Sequence, residues 1–340
     1  MALLLLAAAM TACSGSSHDE YRVIFSDPNS SPSEEDQPQM KEYTIAVVPK
    51  VIEISYFNVA EDGAMEAAED LGVEVIYEGP LIADVNKQIE IIGQLIKQNV
   101  DAIAVSANDP EKLLPILKEA RAQGIKVITW DADTVPEARE FFVNMVDPET
   151  LGRHLMDTLA SHTDERGEFA IMTGALSASN LNEWSKWIQI QQSEFYPKMR
   201  LVEIAANDDD PRKAYALAQK LLNDHPDLAG IIGISSVGPP AAAQAVREAD
   251  RAGAVKVVGL STPDLMRDYL NDGSAQMATL WSPKKLGYLT VVLAKNLLEG
   301  KRPEDGQNID SVGNIRVYGD SVIMGEPLNF TAENVDQYDF

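Results

Sequence analysis

Cysteine is almost missing from this chain. A single one, Cys13, stands among 340 residues, which excludes an internal disulfide, a cysteine-rich zinc site and a CxxC redox pair. Basic residues are also scarce. The 28 Lys+Arg face 53 Asp+Glu, for a formal net charge of -25, and such a surface repels the phosphate backbone, so DNA and RNA are poor partners. Of the 4 histidines, His154, His162 and His225 lack metal-ligand spacing and His18 lies near the amino end, so no metal site is expected. "GISSVG" at 233–238 is not G-x-S-x-G, and Gly230, Gly233 and Gly238 match neither a P-loop nor G-x-G-x-x-G. A catalytic triad and a nucleotide cofactor therefore lack support. No apolar run is long enough to span a bilayer.

What is present is a long α/β pattern. From residue 43, short β-branched runs alternate with amphipathic stretches of helical length. Strands are predicted at 44–48, 73–77, 101–105, 126–129, 168–172, 201–205, 228–234 and 255–260, with helices between them and a last one at 284–299. Repeated βα units imply parallel sheets covered by helices on both faces. The units outnumber what one sheet of ordinary width needs, so two doubly wound parallel-sheet lobes are expected, with a first break near 142–149. Asp109-Pro110, Asp147-Pro148, Asp210-Pro211, Thr262-Pro263 and Ser282-Pro283 each join a capping residue to a proline suited to the first helical turn. Most of these loops follow strands, and in open α/β sheets the carboxyl ends of strands are where ligands bind.

Ahead of that body, "MALLLLAAAMTA" at 1–12 has the apolar core and small-residue end of an export signal. It resembles a bacterial lipoprotein signal, which implies a lipidated Cys13 at the start of the mature chain. Residues 13–42 are rich in Ser, Pro, Gln and acids, a composition unable to bury enough surface to offset ordering entropy, and read as a tether. "YRVIF" at 21–25 is the one apolar patch in it.

Candidate site residues are the polar and aromatic groups at strand ends. "ITWDAD" at 128–133 runs a buried strand into Asp131 and Asp133, which must meet water, a cation or a polar ligand because a desolvated, unpaired carboxylate is costly. Lys50, Tyr56 and Phe57 follow the first strand, and Asn108 the third. Asn180, Asn182 and Trp184 follow "IMTG", Ser235 and Ser236 follow "IIGI", and Trp281 ends "ATLW". A polyhydroxylated ligand needs this mixture: carboxylates and amides for its hydroxyls, aromatic rings for its C–H face. The competing readings are capping or loop ion pairs for the aspartates, solvation for Lys50 and ordinary packing for Trp184 and Trp281.

"AVVPK" 46–50, "DAIAVSANDP" 101–110, "ITWDAD" 128–133, "GPPAAAQAV" 238–246, "VVGLSTPDLMRDYLNDG" 257–273 and "ENVDQYDF" 333–340 resemble the periplasmic sugar-binding proteins of ABC importers, in the branch of rhamnose and autoinducer-2 receptors. The resemblance implies the type I periplasmic binding protein fold: two lobes joined by a three-strand hinge and closing on one sugar-sized molecule. The first lobe would hold 43–145 and 262–302, the second 146–261 and 303–340. It places ligand contacts at Lys50 and Asp131. Asn180-Leu181 stands where autoinducer-2 receptors have Asp-Gln, and Ile234 and Ser236 stand at their proline and alanine contacts, which favours a rhamnose-like deoxyhexose. The partners implied are a monosaccharide and the membrane subunits of an ABC permease. The chain would be a monomeric, extracytoplasmic lipoprotein that meets the membrane through its lipid alone, with no cofactor and no enzymatic activity. An autoinducer-2 receptor, a sensor serving a receptor kinase, a secreted carbohydrate enzyme and a repressor of related fold are the alternatives.

Overall fold

The β-branched runs form two mostly parallel sheets in a computed structural model, which describes residues 43–340. The expected signal segment, Cys13 and the tether lie outside the described residues. The first sheet contains β1 (Thr44–Val48), β2 (Glu74–Tyr77), β3 (Ala102–Val105), β4 (Lys126–Trp130) and β5 (Phe142–Asn144). The second contains β6 (Gly167–Thr173), β7 (Met199–Ala206), β8 (Leu228–Gly233), β9 (Lys256–Leu260) and β10 (Met277–Leu280). After a small hairpin, β11 (Asn308–Ile309) with β12 (Gly313–Asn314), come β13 (Arg316–Tyr318), β14 (Ser321–Ile323) and β15 (Leu328–Phe330). The strand orders are β13-β14-β5-β4-β3-β1-β2 and β15-β10-β9-β8-β6-β7. Helices α1 (Ser55–Leu71), α2 (Val85–Lys97), α3 (Pro110–Ala122), α4 (Pro148–His162), α5 (Ser179–Phe195), α6 (Pro211–Asp224), α7 (Gly238–Glu248), α8 (Pro263–Asn271) and α9 (Pro283–Leu298) cover the sheets.

The helix starts follow the chemistry anticipated from sequence. Asp109 accepts hydrogen bonds from the N–H groups of Glu111 and Lys112, Asp147 from Thr150, Asp210 from Arg212 and Lys213, and Ser282 from Lys285. Each satisfies donors that the first helical turn leaves free. Thr262 precedes a proline in the same way but makes no side-chain cap bond. The tightest packing in the first lobe joins α1 to α9. A methyl group at Gly63 would lie 1.8 Å from the Lys284 carbonyl oxygen, and one at Gly287 would lie 1.9 Å from that of Ala60. Only glycine admits this approach.

The chain crosses between the lobes after β5, after β10 and after β14, which gives the three-segment hinge. The lobe boundaries differ from those expected. Residues 263–280 belong to the second lobe, because β10 pairs in parallel with β9 through Met277–Val258 and Thr279–Leu260. Residues 316–323 belong to the first, because β14 pairs with β5 through Val322–Val143. Expecting 262–302 in the first lobe and 303–340 in the second therefore holds only for α9 and for β15 onward. The physical reason is that a short strand's sheet is chosen by ladder pairing and burial, which no local pattern encodes.

Candidate functional site

The carboxyl ends of strands from both sheets converge on one cavity. It is lined by Lys50, Ile54, Tyr56, Phe57, Asp131, Asn180, Leu181, Trp184, Asp209, Ile234, Ser235, Ser236, Leu260, Leu280 and Trp281 and has a cavity volume of about 40 Å³. Every wall is therefore a strand tip or the helix start that follows one.

On the first-lobe side the centre is Asp131, just past β4 and 3% exposed. It has φ 58, a left-handed conformation that costs a residue other than glycine roughly 1–2 kcal/mol. Its side chain repays the strain locally. Oδ1 accepts from the Tyr56 hydroxyl at 3.1 Å, Oδ2 accepts from Ser106 Oγ at 2.6 Å, and Lys50 Nζ lies 3.3 Å from Oδ2. Trp281 Nε1 in turn donates to the Tyr56 oxygen at 3.0 Å. Burial, then the neighbouring Asp131 charge, hold the Tyr56 hydroxyl well above the ordinary tyrosine range, so it serves as a neutral donor and acceptor. Lys50 is only 5% exposed, and the loop carrying it is fixed by Asn108 Nδ2, which donates to the Lys50 carbonyl at 2.8 Å. Gln88 donates to the carbonyls of Pro49 and Ser106 and accepts from the Asn108 N–H, tying the first and third strand tips together.

On the second-lobe side, Trp184 and Leu181 come from the first turns of α5, Ser235 from beyond β8 and Asp209 from the β7–α6 loop. Ser235 Oγ receives a hydrogen bond from Asn207 Nδ2 at 3.0 Å. The buried Trp184 Nε1 and Asp209 Oδ2 make no hydrogen bond within the protein. Burial, with Asp131 and Asp208 adding repulsion and Lys50 opposing it, pushes the Asp209 carboxyl above its ordinary range. Aromatic rings brace the space between the lobes: Tyr56 and Trp184 each meet Trp281, at centroid distances of 6.1 and 5.7 Å.

Of the residues singled out from sequence, Lys50, Tyr56, Phe57, Asp131, Asn180, Trp184, Ser235, Ser236 and Trp281 line this cavity. Three do not. Asn108 sits one layer behind Lys50 as its support. Asp133 is claimed by Arg139, whose Nε and Nη2 lie 2.7 and 2.5 Å from its carboxylate oxygens, so the ion-pair alternative describes it. Asn182 is exposed and donates to the Leu176 carbonyl, because α5 turns it away from Trp184. Trp130, in the stretch that drew attention, is 0% exposed. Its Nε1 donates to the Ala104 carbonyl and its ring packs against Phe57, so it belongs to the core behind Asp131. Sequence reasoning missed Ser106, Gln88 and Asp209. "VSAND" placed a hydroxyl at a strand tip, and "NDDDP" held more carboxylates than one helix cap uses.

Residues 45–302 match the family described as periplasmic binding protein domain, and the chain belongs to that family. A D-ribose/D-allose-binding protein of Pseudomonas aeruginosa is 28% identical over 268 residues, which cover 76% of this chain and 83% of that protein. Among solved structures, an ABC transporter solute binding protein from Clostridium phytofermentas with bound L-rhamnose superposes with a TM-score of 0.83 at 28% identity, covering 87% of this chain and 98% of that one. LsrB from Clostridium saccharobutylicum in complex with AI-2 gives 0.82 at 26% identity, over 87% and 100% of the two chains. Among the described residues, no cluster of His, Cys, Asp or Glu could hold a metal ion and no helix is long and apolar enough to cross a membrane.

Proposed function

We propose that this chain captures one neutral monosaccharide, a deoxyhexose of the L-rhamnose type, between its lobes and presents the closed complex to the membrane permease of an ABC importer. The observation that carries this reading is the Lys50–Asp131 pair, 3.3 Å apart, set among Phe57, Trp184 and Trp281 in one cavity. Charged and hydroxyl groups pair with sugar hydroxyls, and rings cover the C–H faces. Leu181, Ile234, Leu260 and Phe57 supply an apolar lining suited to a ligand methyl group. Family membership supports the import role, with hinge closure as the signal that the permease reads. On this reading Cys13 is lipidated and tethers a monomeric receptor outside the cytoplasm, and no bond is made or broken in the ligand.

A second reading is an AI-2 receptor. Lys50 and Asp131, the two contacts that the resemblance carries over, do face one another here. Asn180 and Leu181 in place of an Asp-Gln pair weigh against it. A thermal-shift screen with L-rhamnose, D-ribose, D-allose and AI-2 tests the choice, since a ligand at 100 times its Kd stabilises the folded state by about 2.7 kcal/mol. The expected result is selective stabilisation by L-rhamnose. A shift with AI-2 and none with the sugars would move the assignment to the second reading, and chemical turnover of any of them would overturn both.

A further inference from the structure

The sequence "NDDDP" at 207–211 puts three aspartates in one loop, and the structure gives them different tasks. Asp210 caps α6 through the N–H groups of Arg212 and Lys213. Asp208 pairs with Lys213 on the surface. Asp209 has neither role. It is 7% exposed, its Oδ2 is fully buried without a partner, and it lines the cavity. Its aim is fixed from three directions. The backbone is left-handed, with φ 56. Its N–H donates to Asn207 Oδ1 at 2.9 Å. The carboxyl lies against Gly174, where a methyl group would come within 2.7 and 2.8 Å of the two carboxyl oxygens.

We propose that Asp209 makes lobe closure conditional on a ligand that offers it a hydrogen-bond donor, so that it selects for a hydroxyl on the second-lobe edge of the ligand. The inference rests on the monosaccharide reading for the identity of that donor, but not for the closure effect. Asp131, across the cleft, already receives Tyr56 and Ser106 and faces Lys50. Closure therefore brings a second carboxylate toward a site whose lysine is already paired with Asp131. Without a ligand, the closed form leaves the buried Asp209 Oδ2 with no hydrogen-bond donor and divides the one Lys50 charge between two carboxylates, which is costly. A ligand hydroxyl removes that penalty. A carboxylate only accepts, so an ether, a fluorine or a bare carbon at the same ligand position cannot replace the hydroxyl.

The test uses the full-length protein, with Asp209→Asn and, as an independent perturbation, Gly174→Ala. Small-angle scattering of the ligand-free proteins is the first readout: Asp209→Asn is expected to shift toward the compact form relative to wild type, and Gly174→Ala, which crowds the carboxyl without neutralising it, away from it. Calorimetry with L-rhamnose and its monodeoxy and monofluoro analogues is the second. In wild type, one ring position should lose about 10–100-fold in affinity for both the deoxy and the fluoro analogue, the span expected for a hydrogen bond to a charged group. In Asp209→Asn, whose amide can also donate, that discrimination should collapse to within about threefold. Fluoro analogues that all bind wild type as well as the parent would overturn the proposal. If L-rhamnose fails to bind at all, the sugar assignment falls while the scattering result still decides the closure effect; ligand-free dimensions unchanged in both variants would overturn it.

Discussion

The two walls of the cavity are built on opposite principles. In the first lobe the polar groups around Asp131 are partnered within the protein, Asp131 by Tyr56, Ser106 and Lys50, and Tyr56 by Trp281, and the buried atom left over, Asn108 Oδ1, lies one layer behind the cavity. In the second lobe Trp184 Nε1 and Asp209 Oδ2 stand without partners inside the protein. A wall that is satisfied internally holds its geometry at little entropic cost and offers a pre-organised surface to an incoming ligand. A wall with orphaned donors and acceptors is stable in the closed form only when something else completes it. On the proposed reading, the first lobe receives the ligand and the second commits it, with binding coupled to closure through the second lobe's unmet hydrogen bonds.

The largest break in this comparison comes from Asp131→Ala. It removes the counter-ion of a lysine that is 5% exposed and strands two hydroxyl donors. Breaking a buried pair from one side typically costs about 3–5 kcal/mol. Urea unfolding should show a loss of that size, with affinity for the bound sugar falling about 10–100-fold in calorimetry. Unchanged stability would mean that the first wall is not a pre-assembled cluster.

Asp133→Ala sharpens the contrast two residues away. Asp133 neutralises Arg139, but Arg139 also reaches Asp320 at 2.6 Å, so one counter-ion survives. A stability loss of about 1–3 kcal/mol is expected, with affinity within about twofold of wild type. Chemical denaturation and calorimetry on the same preparation separate the two aspartates. A loss of binding equal to that of Asp131→Ala would return Asp133 to the site.

The pair also marks how far the sequence could be read. "ITWDAD" announced that carboxylates follow a buried strand, and parallel α/β topology put them at the ligand edge, so Asp131 was legible from local pattern. Which of the two faces the cavity depends on Asp131 adopting φ 58 and on Arg139 arriving from beyond the next turn. Both are tertiary facts. The Asp-Pro helix starts were legible for the same local reason, since a cap and its first turn are neighbours in sequence. The sheet membership of β10 and β14 was not, because their partners β9 and β5 are selected by long-range pairing. Asp209 escaped notice because "DDDP" has the look of a single cap plus surface charge, and only burial distinguishes its middle residue.

Trp184→Phe probes the second wall more gently. The ring against Trp281 is kept while a buried N–H that has no protein partner is removed. A net hydrogen bond contributes about 0.5–1.5 kcal/mol, so affinity should fall about 2–10-fold with stability of the ligand-free protein unchanged or slightly raised. If stability drops instead, the indole N–H is held by the fold itself and the two walls differ less in how they are satisfied.

The finest test is pH, because at Asp209 it moves stability and ligand affinity in opposite directions. Burial raises the Asp209 carboxyl above its ordinary range, with Asp131 and Asp208 adding to the effect and Lys50 opposing it. The native state therefore keeps a proton on this group at a pH where the unfolded chain has lost it. Stability from Asp209 is fully present below the ordinary carboxylate range and is lost as pH rises from there through the raised value. Ligand affinity should run the other way over the same window, because only the ionised carboxylate accepts the ligand's donor without competing for an acceptor. Denaturation and calorimetry at matched pH values should give crossing trends in wild type and flat ones for this contribution in Asp209→Asn. Parallel trends would mean that Asp209 binds as the neutral acid, with its proton donated to the ligand, and would reverse the selectivity from ligand donors to ligand acceptors.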